Sequence, residues 1–232
     1  MTPTTSESLA SPATFAHDYV AAFSETLQAI PAQSIERCAL VLLDAYRRGA
    51  QVFVAGNGGS ASLASHFACD LEKTTCGREP RKQTKRFRAR SLCDNVATLT
   101  AWANDESYAC VFGEQLRGLA LAGDVLLVIS ASGNSPNVLE ALKWARRLEL
   151  TSMAWLGFDG GRALAEADCS IHVAVCDYGA AEAAHAVVAH LITSWLTRKL
   201  GAESSREPRR PLRAPIFDDA GGSVASIGSG AR

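Results

Sequence analysis

His66 and Asp70 stand four residues apart, a spacing that puts an imidazole and a carboxylate on one face of a helix. Such a pair can move protons or hold a divalent metal ion. They follow the stretch VFVAGNGGS, which reads as a buried strand over Val52–Ala55, a glycine turn, and a helix starting near Ser60. Gly56, Gly58 and Gly59 lack a Cβ, so the backbone can turn sharply and a ligand can come close. Ser60 is placed as an N-cap, and the free N–H groups of the first turn make an anion site. A second strand–loop–helix unit follows in VLLVISASGNSPN, where Ser130, Ser132 and Ser135 line the loop. Ser135 falls at the cap and Pro136 at the first helical position, so hydroxyls, backbone N–H groups and the helix dipole all favour an anion. A late helix adds Glu182, His185 and His190. From physics alone the ligand is a phosphorylated small molecule.

Several elements must position these groups. Residues 1–14 are polar and rich in Ser, Thr and Pro, and read as disordered. Phe15, Tyr19, Phe23, Leu27 and Ile30 recur at helical spacing, and after Pro31 a second helical pattern runs to Gly49. These two helices either close the fold or form an oligomer interface. Further strands are expected over Ala89–Cys93, Ser152–Phe158 and Ile171–Cys176. Helices are expected over Val96–Ala103, Ser107–Leu121, Asn137–Leu148, Ala163–Ala167 and Gly179–Leu200. Strands alternating with helices predict an α/β fold, a doubly wound three-layer sandwich with a mostly parallel central sheet, in one domain over 15–200. Residues 201–232 turn to Arg, Pro, Ser and Gly and read as a flexible tail.

Composition narrows the function. The chain has 232 residues, 47% apolar and 20% charged, with a net charge of −1, so bulk charge gives no argument for nucleic acid or membrane. A basic run from Arg78 to Arg88 carries a single aromatic, Phe87, without the repeated aromatic interleaving that marks a nucleic-acid surface, and reads as a solvated loop. Seven scattered cysteines without a C-x-x-C pair suit a reducing cytoplasm. No apolar run is long enough to span a bilayer and no signal-peptide order opens the chain, so a soluble cytoplasmic protein is expected. The first glycine loop has Ala61 at the third fingerprint position and lacks the acidic residue that would hold a ribose, which argues against a dinucleotide. A nucleotide P-loop and a G-x-S-x-G elbow are both missing. Cys69 reads as a small buried hydrophobe, His172 as structural, and His185 as a partner supporting the site from behind.

GNGGSASLASHFACDL, ISASGNSPNV, GFDGG and EAAHAVVAH occur in an order that resembles a sugar isomerase (SIS) domain, within it the phosphoheptose isomerase branch, over about residues 15–200. The resemblance implies an aldose–ketose isomerase of a phosphorylated sugar, most closely of sedoheptulose 7-phosphate, working through an enediol. It implies that Ser130, Ser132 and Ser135 hold the phosphate, that Asn57, Gly58 and Ser60 lie along the sugar, and that Asp94 contacts its hydroxyls. The family's metal and acid–base positions fall on His66, Asp70, Glu182 and His190, with Asp70 and His190 as the proton-transfer pair and Glu182 also near substrate. Two imidazoles and two carboxylates suit Zn²⁺ or another first-row divalent ion, or equally a hydrogen-bonded cluster. A homotetramer with sites shared between subunits is also implied. The chain departs from the pattern at Asp70 for Glu, Glu182 for Gln, Ala131 for Thr and Gly179 for an acidic residue. A non-catalytic phosphosugar-binding or regulatory SIS protein is the alternative.

Overall fold

In the computed structural model, which describes residues 11–77 and 85–204, the apolar run Val125–Ser130 is buried at all six positions. It forms β3, the middle strand of a five-stranded, fully parallel sheet. Its neighbours are β1 (Gln51–Gly56) and β4 (Thr151–Leu156), with β2 (Arg88–Ser91) and β5 (Cys169–His172) at the edges, giving the order β2-β1-β3-β4-β5. Side chains alternate between two cores. Val52, Val54, Leu127 and Trp155 face one, and Phe53, Ala55, Leu126 and Val128 the other. A strand covered on both sides must be apolar throughout, which explains the unbroken run.

The first face is covered by α2 (Ala32–Arg48), α3 (Gly59–Glu72) and α8 (Tyr178–Ser204), whose Leu42, Phe67 and Val188 enter that core. The second is covered by α5 (Gly113–Leu119), α6 (Pro136–Arg147) and the short α7 (Ala163–Glu166), with α4 (Val96–Asp105) packed alongside. The doubly wound α/β sandwich is therefore present. In this strand order the chain leaves β1 and β3 in opposite directions, which opens a crevice at their carboxyl ends. The loops over 56–59 and 130–135, which follow β1 and β3, sit there.

Details differ from the sequence reading. The first helix, α1 (Pro12–Gln28), begins inside the stretch read as disordered, because Ser11 caps it by accepting from the Thr14 amide. Residues 1–10 and 205–232 lie outside the described residues, and α8 continues to Ser204. The helix expected over Ser107–Leu121 is broken into a 3₁₀ turn at Tyr108–Cys110 and α5, where Val111 and Phe112 turn inward and are fully buried. Of the two leading helices, α2 closes the fold, whereas α1 buries no residue. Arg78, Arg81 and Lys82 of the basic run lie outside the described residues; Lys85 donates to the Arg47 carbonyl and sits over Tyr46. Among the described residues no helix is long and apolar enough to cross a membrane.

His185 does not support the site; it is fully buried in the core, and neither ring nitrogen is paired. Burial pushes its pKa down to about 4, an effect the Leu156 carbonyl offsets only in part. The folded chain keeps the ring neutral while the unfolded chain protonates it near pH 6.5. Its contribution to stability is therefore complete above about pH 6.5 and is lost as pH falls towards about 4, on the order of 3 kcal/mol. Thermal melts should show Tm dropping through that window in the wild type and a shallower drop in His185→Leu. Parallel curves would clear His185 of the effect.

Candidate active site

The first ligand loop follows β1, and its turn closes earlier than the sequence suggests. Gly58 is the helix cap, at φ +55°, and Ser60 is the second residue of α3, buried rather than capping. A left-handed cap is cheap only for glycine, so the helix starts as soon as Gly58 permits. Next to it a Cβ on Gly59 would meet only the carboxylate end of Glu182, 2.6 Å from its Oε1, so the absence of a side chain there lets that carboxylate settle on the helix start. The Glu182 carboxylate thus already occupies the positive end of α3.

From that contact α3 and α8 run in the same direction. Gly59 meets Glu182, His66 meets His190, and Thr74 meets Thr197. The rings of His66 and His190 stand edge to face with centroids 5.0 Å apart. Between them lies Asp70, whose side chain is only 12% exposed. Its Oδ1 accepts from the Thr74 hydroxyl at 2.8 Å. Its Oδ2 is buried and unpaired, 3.5 Å from His66 Nε2 and 3.5 Å from His190 Nδ1. Those gaps are too long for good hydrogen bonds. They are close to the roughly 3.4 Å that separates two ligands on a tetrahedral ion with bonds of about 2.1 Å. His66, Asp70 and His190 offer ligand atoms within 4.8 Å of one another and form a possible metal site. Glu182 is not in this cluster, because it lies two helical turns away at Gly59.

The second loop is held in shape by the GFDGG turn. Gly157 donates to the Ala131 carbonyl, Ala163 to the Gly133 carbonyl, and Arg162 to Oδ1 of Asn134. Gly133 takes φ +62° and presses on the backbone of Gly160 and Gly161, so no side chain fits there. Ser130 is buried and its hydroxyl accepts from the Gly133 amide, whereas Ser132 and Ser135 are half-buried. Ser135 caps α6 without using its hydroxyl, which leaves that group to a ligand. The two loops are joined by Asn57 and Asn137, whose side-chain amides bond reciprocally at 2.9 and 2.8 Å.

Asp94 is exposed and accepts from the Ser65 hydroxyl on the wall of an 880 Å³ cavity beside α3. That cavity is not lined by His66, Asp70, His190 or the serine loop. Cys69 also lines it and is exposed, not buried as its composition suggests. His172 is structural as expected, with Nε2 2.9 Å from the Phe158 carbonyl. Sequence reasoning missed Thr74, Asn137 and Tyr108. The Asp70–Thr74 spacing of four was a usable signal. Tyr108 gave none.

Comparison with known proteins identifies the family and the fold. The sequence model of the SIS domain matches residues 17–157. A phosphoheptose isomerase of Mycobacterium tuberculosis is 42% identical over 161 residues, which is 69% of this chain and 80% of the relative. One from Geobacter sp. is 36% identical over 174 residues, covering 75% of this chain and 88% of the relative. The solved phosphoheptose isomerase of Francisella tularensis superposes with a TM-score of 0.73 at 28% identity, over 80% of this chain and 96% of that one. That of Neisseria gonorrhoeae gives 0.69 at 29% identity, over 78% and 98%.

Proposed function

Because the chain belongs to the SIS domain family, we propose that it is an aldose–ketose isomerase converting sedoheptulose 7-phosphate to D-glycero-D-manno-heptose 7-phosphate through an enediol. The observation that carries this reading is the buried, unpaired Oδ2 of Asp70 between two imidazoles. It stands on the helix that leaves a ligand loop at the sheet's crevice. The phosphate belongs at the Ser130–Ser135 loop, because the other helix N-terminus already faces Glu182.

The reaction moves one proton between C1 and C2 and another between their oxygens, so it needs a base at carbon and an acid at oxygen. Asp70 and His190 divide that work. Thr74 holds the Asp70 carboxylate so that Oδ2 faces the site. Asn57, Gly58 and Ser60 lie along the sugar, and Asp94 completes the hydroxyl contacts. Binding the distant phosphate positions the reacting end. His66, Asp70 and His190 would hold a divalent ion, Zn²⁺ by the nature of the donors, while Glu182 stands at Gly59, outside that group. When bound, that ion polarises the carbonyl and stabilises negative charge on the enediol oxygens. Incubation with sedoheptulose 7-phosphate should yield an aldose product; no product at high enzyme concentration overturns the reading.

A homotetramer in the cytoplasm is part of the proposal. His66 and His190 are half exposed, so one chain leaves the site open. Phe15, Tyr19 and Val20 on α1, and Val187, Leu191 and Trp195 on α8, expose apolar surface that a second copy would cover. Light scattering at micromolar concentration should give four times the 24.6 kDa chain mass. A fully active monomer would remove the shared-site argument.

A further inference from the structure

Asn137 is 1% exposed, so its side chain cannot reach a ligand, yet it grips Asn57, which is half-buried in the loop after β1. Its Oδ1 accepts from Asn57 Nδ2 at 2.9 Å and from the Val138 backbone N–H at 3.0 Å. Its Nδ2 donates to Asn57 Oδ1 at 2.8 Å. The Tyr108 hydroxyl donates to the same Asn57 oxygen at 3.1 Å.

Two facing amides bond equally well if both are turned over, so the pair alone does not fix which end is which. The Val138 N–H breaks that symmetry. A backbone N–H only donates, so it requires oxygen at the Asn137 position it meets. Nitrogen of Asn57 must then face that oxygen, and Asn57 Oδ1 must face Asn137 Nδ2 and the tyrosine. Both lone pairs of Asn57 Oδ1 are thereby used, and its amide nitrogen keeps one N–H. Asn57 can offer a ligand a donor only.

We propose that Asn137, with Tyr108, is a positioning residue that fixes the Asn57 amide as a hydrogen-bond donor towards an oxygen of the sugar phosphate. This rests on the isomerase reading only for the identity of the ligand. The same clasp ties the loop after β1 to the start of α6, so the sugar-handling and phosphate-handling segments keep their spacing.

The test is a double-mutant cycle in kcat/KM for sedoheptulose 7-phosphate with Asn57→Ala, Asn137→Ala and both. Asn137→Ala should lower kcat/KM by about 10–100-fold, in the range of one misplaced or lost oriented donor. In the Asn57→Ala background it should lower it no further. Losses that multiply in the double variant would overturn the proposal. Tyr108→Phe, at an exposed ring, serves if Asn137→Ala folds poorly. It should cost several-fold in the wild type and nothing beside Asn57→Ala, and an equal cost in both overturns the clasp. Should the wild type isomerise no heptose phosphate, the isomerase reading fails separately. The clasp is then decided by nuclear magnetic resonance of the Asn57 side-chain NH₂. The proton that faces Asn137 should be protected from exchange in the wild type and exchange rapidly in Asn137→Ala. Rapid exchange in both would overturn it.

Discussion

Asp70→Asn is expected to cut turnover of the heptose phosphate by at least 100-fold while leaving the chain folded and as stable as the wild type in the presence of a chelator. The Thr74 hydroxyl donates to Oδ1 at 2.8 Å, and an amide oxygen accepts that bond equally well. What changes is Oδ2, a buried acceptor 3.5 Å from each imidazole. An amide there has no charge, takes no proton and is a weaker ligand for a divalent ion. Losing a positioned acid–base group costs roughly 10²–10⁴ in rate. Stability should not follow, because an unpaired buried carboxylate is itself costly. Metal supplies an independent reading of the same cluster. Protein purified without chelators should carry about one Zn²⁺ per chain, and the variant less. Chelation should lower wild-type activity and Tm, with recovery on adding Zn²⁺, and should leave the variant's Tm unmoved. Full turnover in Asp70→Asn would overturn the mechanism.

The sheet was legible because burial on both faces leaves a direct trace in composition. Five apolar residues in Val125–Ser130, too few for a helix and bounded by turn residues, point to a covered strand, and the glycine and serine loops mark where such strands end. The pairing of His66 with Asp70 followed from helical spacing. His190 came to them only through the resemblance, since nothing local says that α8 lies beside α3 in the same direction. Glu182 and His185 show the limit. They sit three residues apart on one helix, but one reaches Gly59 and the other is sealed under the sheet. A few tens of degrees of rotation about the helix axis separate those fates, and packing sets it. Asn137 was hidden for another reason. An asparagine just after Ser-Pro looks like turn chemistry, and its role appears only when a residue 80 positions away lies opposite.

Ser132→Asp is expected to weaken sugar-phosphate binding at least 100-fold without disturbing the fold. The Ser132 hydroxyl accepts from the Asn134 amide, and an aspartate at the same place can accept that bond in the manner of an Asx turn. The loop's other restraints, from the GFDGG turn and from Ser130 and Asn134 within the loop, do not involve this side chain. The shape of the site is therefore kept while its charge is reversed. A charge-assisted hydrogen bond from the serine contributes about 1.5–3 kcal/mol. Its loss alone is worth roughly tenfold to a hundredfold in affinity. Repulsion between a carboxylate and a doubly charged phosphate in a half-buried loop adds to it. Calorimetry with sedoheptulose 7-phosphate should show the full loss, Ser132→Ala about a tenth of the wild-type affinity, and melting temperatures close together. The rival location is the N-terminus of α3, where Glu182 stands against Gly59. A phosphate bound there would gain from Glu182→Gln, which removes a facing negative charge, and would ignore Ser132→Asp. Unchanged affinity in the first variant with tighter binding in the second would move the phosphate from α6 to α3, and with it the direction in which the sugar lies across the crevice.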